Sequence, residues 1–325
     1  MKNTLKFLII MFLGIIALSC TPKKSETETA TAALDYSKIF NGDLSGFADE
    51  YDPNASGDFT VEIIDARGLE LELENGIKIT EYTGSDRNVI IPSQIQGLYV
   101  THIGDEAFDR KELTSVTIPD KVIAIGENLG YAFANNQLNN VAIPDSVMAI
   151  KRFAFAYNQL TDVIIPNSVT SIGDSAFAHN QLISVTIPDN ANFTSINCET
   201  FAYNQLVSVI IPDSVTLIGM DAFSNNQLNS VAIPAGVTYI DDNAFYNNRL
   251  TSVTVPNGVT YIGGSAFGDN PLTAVTIGAN VDLFEADYRY GAPFGDSFTN
   301  VYNNNGKQAG TYTRPNADST DWVKQ

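Results

Sequence analysis

Residues Ile165–Val185 read IPNSVTSIGDSAFAHNQLISV, and Ile211–Val231 read IPDSVTLIGMDAFSNNQLNSV. Two further copies stand beside them, IPDSVMAIKRFAFAYNQLTDV at Ile143–Val163 and IPAGVTYIDDNAFYNNRLTSV at Ile233–Val253. Prolines at 144, 166, 188, 212, 234 and 256 set a period of 22 residues, stretched to 24 between Pro188 and Pro212. A unit this short cannot bury its own apolar edge and must stack on its neighbours, so the period predicts a solenoid with one continuous core. The long surface of similar rungs that results suits binding rather than catalysis.

Each rung can be read at finer grain. In L-x-x-V-x-I-P, as at Leu182, Val185 and Ile187, the spacing predicts a strand with its apolar residues inward. Pro188 ends it, having no N–H to give a ladder. These strands are expected to form one parallel sheet. The V-T-x-I-G stretch, as at Val169 and Ile172, predicts a second row of short strands on the opposite side. The Ala-Phe pair that follows fills the interior, so Phe108, Phe133, Phe155, Phe177, Phe201, Phe223, Phe245 and Phe267 are expected to stack as a spine. Asn136, Asn158, Asn180, Asn204, Asn226, Asn248 and Asn270 recur where an amide can satisfy turn backbone groups of its own rung and the next. Gly104, Gly126, Gly173, Gly219 and Gly263 share a row with Asn197 and Asp241, which suggests positive φ, with Lys151 as the exception. The Asp or Asn after each proline, as at Asp145, Asn167 and Asp213, is expected to cap a turn through its side chain. One carboxylate per rung falls far short of the six to eight oxygens of a calcium site.

With 44% hydrophobic and 17% charged residues in 325, the chain can bury a large core, and the repeat makes that core linear. Its net charge of −19 opposes nucleic-acid phosphate, so nucleic acid is not expected as a partner. The two cysteines, Cys20 and Cys198, stand alone, with no metal-ligand spacing and no disulfide framework.

The ends depart from the repeat. Lys2 and Lys6, the apolar run Phe7–Leu18 and then Ala17-Leu18-Ser19-Cys20 have the three parts of an export signal. The run is too short for a confident membrane span. A cysteine at the cleavage point resembles the lipobox of bacterial lipoproteins, with Ala17 where leucine is usual. That resemblance implies cleavage after Ser19 and lipidation of Cys20, holding an exported protein at the outer membrane or cell surface. The expected organisation is a signal peptide at 1–19, a lipidated flexible tether at 20–33, an acidic N-terminal β cap at 34–88, the solenoid of about eight repeats at 89–277, and a C-terminal cap at 278–325. Within the first cap, Leu69–Glu74 alternates as a strand does, and Asn75-Gly76 predicts a hairpin pairing Leu73 with Ile77 and Leu71 with Ile79. In the second, Phe298-x-x-Val301 is expected to form a last strand, Ala309–Thr313 part of a lid, and Trp322 its packing.

The unit I-P-[DN]-S-V-T-x-I-G-x-x-A-F-x-x-N-Q-L-T-S-V-T, seen at Ile165–Thr186 and Ile211–Ala232, closely resembles the BspA-like leucine-rich repeats of bacterial surface proteins. The segment from Ile90 to Gly104 looks like the first repeat of many members. The resemblance implies a mostly β, α/β-class solenoid: a parallel sheet, a second row of short strands, and β caps at both ends. It also implies an exported protein with roles in adhesion to host, matrix or bacterial proteins. It carries over neither catalytic nor ligand residues.

Nothing in the sequence assembles chemistry. His102 and His179 lack a cysteine or carboxylate at motif spacing, and near-identical rungs repeat the same small groups where catalysis needs unlike ones. No metal, cofactor or enzymatic activity is expected. Binding residues are sought among outward rows that break the pattern. Tyr157, His179 and Tyr203 occupy one position in three consecutive copies, where other rungs carry Asn135, Asn225, Asn247 and Asp269. They are the first candidates for partner contact, because aromatic residues concentrate binding energy. Leu217, Tyr239 and Tyr261 form a second row on the opposite strand. The reading is a membrane-anchored surface protein that binds a protein partner, with a carbohydrate-binding module or a structural envelope protein as alternatives.

Overall fold

The computed structural model describes residues 57–64, 76–286 and 290–325, all within the compact unit Asp43–Gln325. The signal, the tether, Cys20 and the Leu69–Glu74 strand lie outside the described residues. The fold is a mostly β solenoid of about nine turns with parallel strand rows.

The V-T-x-I row is the more continuous of the two. Its ladder runs through Gly76–Tyr82, Leu98–Ile103, Ala124–Ile125, Ala149–Ile150 and Ser171–Ile172. It resumes with Ser195–Ile196, Leu217–Ile218, Tyr239–Ile240, Tyr261–Ile262 and Asp282–Leu283. In register, Ile103, Ile125, Ile150 and Ile172 stand opposite one another, as do Ile196, Ile218, Ile240 and Ile262, and all are buried. The gap between Ile172 and Ser195 falls at the 24-residue rung.

The row expected to be one sheet is broken into pieces. Ladders join Asn88–Ile90 to Ser115–Thr117, Asp162–Ile164 to Ser184–Thr186, and Ser252–Thr254 to Ala274–Ile277. The outward residue two before each rung's proline explains the pattern. Every laddered pair has β-branched residues there: Ile90 with Thr117, Ile164 with Thr186, Thr254 with Thr276. Rungs with Ala142 or Ala232 at this position make no regular ladder, and Ile210 and Ala232 share only an isolated bridge. Alanine lacks the branched side chain that packs on a pleated neighbour. The remaining gap, between Thr186 and Ile210, is again the 24-residue rung. A cavity of about 390 Å³ lies at the unladdered junction, lined by Ser230, Ala232, Ser252 and Thr254 among others.

Down the middle runs the phenylalanine spine. Neighbouring rings from Phe108 to Phe267 sit 4.8 to 5.8 Å apart, all within 20° of parallel, and none is more than 1% exposed. Tyr82 extends the stack at one end (5.5 Å to Phe108) and Phe294 at the other (5.0 Å to Phe267). Beside it, each row asparagine joins two rungs. Asn180 Nδ2 donates to the carbonyls of Phe155, Phe177 and Ala178 at 3.0 to 3.3 Å, while its Oδ1 accepts from Leu160 N–H at 3.1 Å. The same set recurs at Asn158, Asn204, Asn226 and Asn248. Buried carbonyls that the turn leaves without backbone donors are thereby satisfied.

Two expectations about turns are corrected. In the glycine row only Gly126 has positive φ (81°). The others stand where the neighbouring rung's backbone passes closely: a Cβ would meet Arg152 N at 2.5 Å from Gly173 and Asp242 N at 2.4 Å from Gly263. The residue after each proline does not cap its own turn. Asn167 Oδ1 instead accepts from Asp189 N–H one rung on, and the following serine makes the recurrent bond, as from Ser146 Oγ to Val122 O and Ser168 Oγ to Val147 O.

At the N-terminal end, Phe59–Ile64 lies antiparallel on Gly76–Tyr82, whose other edge pairs with Leu98–Ile103. Both edges of Gly76–Tyr82 are therefore paired, and Lys78 faces Glu62 across one of them. Lys78 is buried between Glu62 (2.7 Å) and Glu127 (3.1 Å). Burial opposes its charge, but the two carboxylates outweigh that and raise its pKa. At the C-terminal end, Phe298 and Val301 belong to a helix, Asp296–Asn304, not a strand. Phe298 and Tyr302, four apart, share its buried face. Gly310–Thr313 then runs antiparallel to Ala274–Ile277, and Trp322 packs edge-on against Phe298 at 5.2 Å.

Candidate functional site

The turn between the two strand rows places two residues per rung at positive φ. One row is Glu106, Tyr131, Phe153, Ser175, Glu199, Asp221, Asn243 and Ser265; the other, four residues later, is Arg110, Asn135, Tyr157, His179, Tyr203, Asn225, Asn247 and Asp269. Left-handed backbone suits Asn and Asp and strains bulky residues. Tyr157, His179 and Tyr203 hold φ of 57°, 56° and 55° nonetheless. Their rings form an unbroken stack, 4.4 Å and 8° at each step. Tyr157 and Tyr203 are 37% and 48% exposed, and His179 is half-buried between them. Burial lowers the imidazole's pKa. Burial, with Glu199 nearby, raises both phenols.

Sequence reasoning missed the neighbouring row. Tyr131 and Phe153 stack at 4.5 Å and 6°, and the Arg152 guanidinium lies 5.7 Å from the Phe153 ring centre. The next members are polar: Ser175 Oγ donates to Glu199 Oε2 at 3.0 Å, and Asn243 Nδ2 to Asp221 Oδ2 at 3.4 Å. Burial raises Glu199's pKa and pushes Asp221 up to about 6, Glu199 adding to the latter. The signal available in the sequence was aromatic residues two before the spine phenylalanine in adjacent rungs.

A third row belongs with these. Ile183 and Val207, four residues past His179 and Tyr203, are 55% and 42% exposed where other rungs carry Thr161, Asn229 and Thr251. Ile164 and Ile210, farther along the same strand row, are 70% and 86% exposed. Outward apolar residues thus gather on the rungs that carry the aromatic stack.

The second sequence candidate lies on the other strand row. Leu217, Tyr239 and Tyr261 are in register and half-buried, and the two tyrosines stack at 4.7 Å and 19°. Burial first, and Asp241 and Asp242 after it, raise the pKa of both. Among the described residues, no group of three or more His, Cys, Asp or Glu is placed to hold a metal ion, and no helix is long and apolar enough to cross a membrane. His102 is held at the first rung, its pKa lowered to about 4 by burial and Lys78.

A family model described as the BspA type leucine rich repeat region matches in six copies, over residues 101–197 and 182–289. No curated protein matches the chain. Among solved structures, a leucine-rich repeat protein from Bacteroides ovatus aligns at 20% identity and a TM-score of 0.50, over 68% of this chain and 64% of that one. The pneumococcal vaccine antigen PcpA aligns at 18% identity and a TM-score of 0.51, over 69% and 70%. A leucine-rich repeat protein of T. pallidum aligns at 24% identity over 63% and 82%, with a TM-score of 0.38. The chain thus spans less than two thirds of the Bacteroides ovatus protein, and the likenesses concern the fold.

Proposed function

We propose, for a chain that belongs to the BspA-type leucine-rich repeat family, that it is an exported surface protein, lipid-anchored at Cys20, whose solenoid docks a protein partner. Leucine-rich repeat proteins generally serve protein interactions and are generally not enzymes. The observation that carries the reading is the stack of Tyr157, His179 and Tyr203. Three consecutive rungs keep large rings at left-handed positions where asparagine is the low-strain choice, and the exposed Ile183 and Val207 adjoin them in sequence. Exposed rings beside exposed aliphatic side chains match the composition of the anchoring centre of a protein interface. The Leu217, Tyr239 and Tyr261 row is assigned as a secondary contact. Adhesion to host, matrix or bacterial proteins is the role that such a surface on a tether would serve.

The test is to present the full chain to arrays of immobilised matrix and bacterial surface proteins beside a glycan array. Binding to a protein, lost when Tyr157, His179 and Tyr203 are all changed to Asn, is the expected result. Binding to glycans alone would replace the reading with a carbohydrate-binding one. Binding to neither would favour an envelope-structural role.

A further inference from the structure

The L-x-x-V-x-I face is almost free of charge in a chain that carries −19. Eight buried leucines, from Leu113 to Leu272, open its rungs, and the first, second and fourth residues after each are exposed or half-buried. Of these twenty-four residues only Asp162 is charged, and its carboxylate already accepts a hydrogen bond from Thr161 Oγ1 at 3.1 Å. The exposed aliphatic side chains Ile164, Ile183, Val207 and Ile210 stand on three consecutive rungs of this face. A net charge far from zero ordinarily keeps copies of a protein apart. Across this face two copies meet with almost no like charge.

The face is also self-complementary. A two-fold axis laid along the strand direction at the Ile183 rung carries each rung onto the rung equally far on the other side. Ile164 then meets Ile210 of the second copy, Ile183 meets its own counterpart, and Asp162 meets the Ser208 hydroxyl. The two Asp162 carboxylates end about two rungs, roughly 10 Å, apart, beyond the Debye length of about 8 Å at physiological salt. An axis along the solenoid would instead stack each rung on itself and bring the two Asp162 side chains together. Eight rungs about 4.8 Å apart, each three to four residues wide at about 3.3 Å, make a face of about 38 by 12 Å, so two copies cover roughly 900 Å² in all. That is the size of a weak, reversible contact rather than an obligate one.

We propose that this face pairs two copies of the chain, antiparallel and face to face, in a weak dimer centred on Ile183 with the aromatic strip at its rim. The pairing goes beyond the protein-binding reading, which the ring variant tests separately.

Sedimentation velocity of the full chain over a concentration series should show monomer and dimer in exchange. Ile164→Thr, Ile183→Thr and Ile210→Thr together keep the β-branching that the ladders use but remove apolar surface, and should weaken dimerisation about tenfold or more. The variant with Tyr157, His179 and Tyr203 changed to Asn should dimerise as the parent does. Added salt should strengthen association, because it screens one −19 chain from the other. Register is read in a Cys20→Ala, Cys198→Ser background with a short bismaleimide. Ile183→Cys should link to its own counterpart, while Thr254→Cys, three rungs from the axis and about 29 Å from its counterpart, should not. A chain that stays monomeric, association that the triple Thr variant keeps or salt weakens, or equal linking at Ile183→Cys and Thr254→Cys would overturn the proposal. Loss of the dimer in the ring variant would also overturn it, whereas partner capture lost in a ring variant that still dimerises supports the two surfaces as distinct.

Discussion

The imidazole of His179 stacks on the phenol of Tyr203, 4.4 Å away and 8° from parallel, across the one rung at which both strand rows are interrupted. Both residues hold left-handed backbone, so two opposing contributions meet in the strip. Each left-handed bulky residue costs about 1–2 kcal/mol, and each ring stack returns about 0.5–1.5 kcal/mol. Changing Tyr157, His179 and Tyr203 together to Asn removes both, so stability should stay within about 2 kcal/mol of the parent while partner binding falls. Chemical denaturation beside binding assays checks this. Wild-type affinity in a folded triple variant would remove the strip from the interface.

Asp221 sets a pH dependence of known sign. Its folded pKa, about 6, lies above the unfolded value near 4, so the folded state holds the proton more tightly. Its contribution to stability is greatest in acid, falls as pH rises from about 4 to 6, and stays lost above that. Asp221→Asn should therefore raise the melting temperature at pH 7.5, with the gain shrinking toward pH 4. A gain of equal size at both pH values would show that relief of backbone strain, not the charge, is responsible.

Burial in the spine outweighs any surface row. Phe177→Ala should cost about 3–5 kcal/mol, the usual range for truncating a buried aromatic. The exposed Ser184→Ala should change stability by less than about 0.5 kcal/mol. Similar denaturation midpoints for the two variants would contradict the spine's role.

Gly130 and Gly97 separate two reasons for glycine. Both have φ of 80° or more, yet a Cβ at Gly97 meets nothing within 4 Å, whereas at Gly130 it would fall 1.9 Å from Arg152 O. Gly97→Ala should cost about 1 kcal/mol from strain alone. Gly130→Ala should cost severalfold more, because the loop 127–130, whose backbone N–H groups all donate to the Asp105 carboxylate, must shift. Equal losses in thermal melts would refute the distinction.

Anchorage is tested at Cys20. Cys20→Ala should move the protein from the detergent to the aqueous phase, and mass spectrometry of the native N-terminus should find acyl chains on Cys20. An intact, unlipidated Lys2–Ser19 segment would rule the anchor out.

What was legible in the sequence followed the period. Phe177 and Asn180 have the same environment in every rung, so one copy's chemistry could be read from all. The misreadings occur where one residue type serves two ends, or where a short run breaks the repeat. Gly173 is glycine for a neighbour's backbone rather than for positive φ, a distinction that requires knowing what lies one rung away. Phe298 and Val301 fit a strand motif, while the buried pair is Phe298 and Tyr302, at helical spacing. Tyr131 and Phe153 went unnoticed because their row holds Ser175, Glu199 and Asp221 elsewhere. The breaks at Ala142 and Ala232 were visible as letters, but their effect on the ladder depends on both partners.

The 24-residue rung has a mechanical consequence. Among the described residues, main-chain bonds across it are confined to the turn edge: Ser175 to Cys198, Phe177 to Thr200, His179 to Ala202, and Gln205 to Leu182. On the V-T-x-I side, side chains substitute: Asn197 Nδ2 reaches Ile172 O at 2.6 Å, and Asn190 Nδ2 reaches the carbonyls of Asn167 and Val169 at 3.0 and 2.9 Å. The longer rung thus exchanges ladder bonds for asparagine bonds on that face and keeps its main-chain stitching at the turn edge. Tyr157, His179 and Tyr203 lie on that edge, so the two extra residues are absorbed away from the rings, and a ligand gripping them meets the same 4.4 Å spacing on both sides of His179.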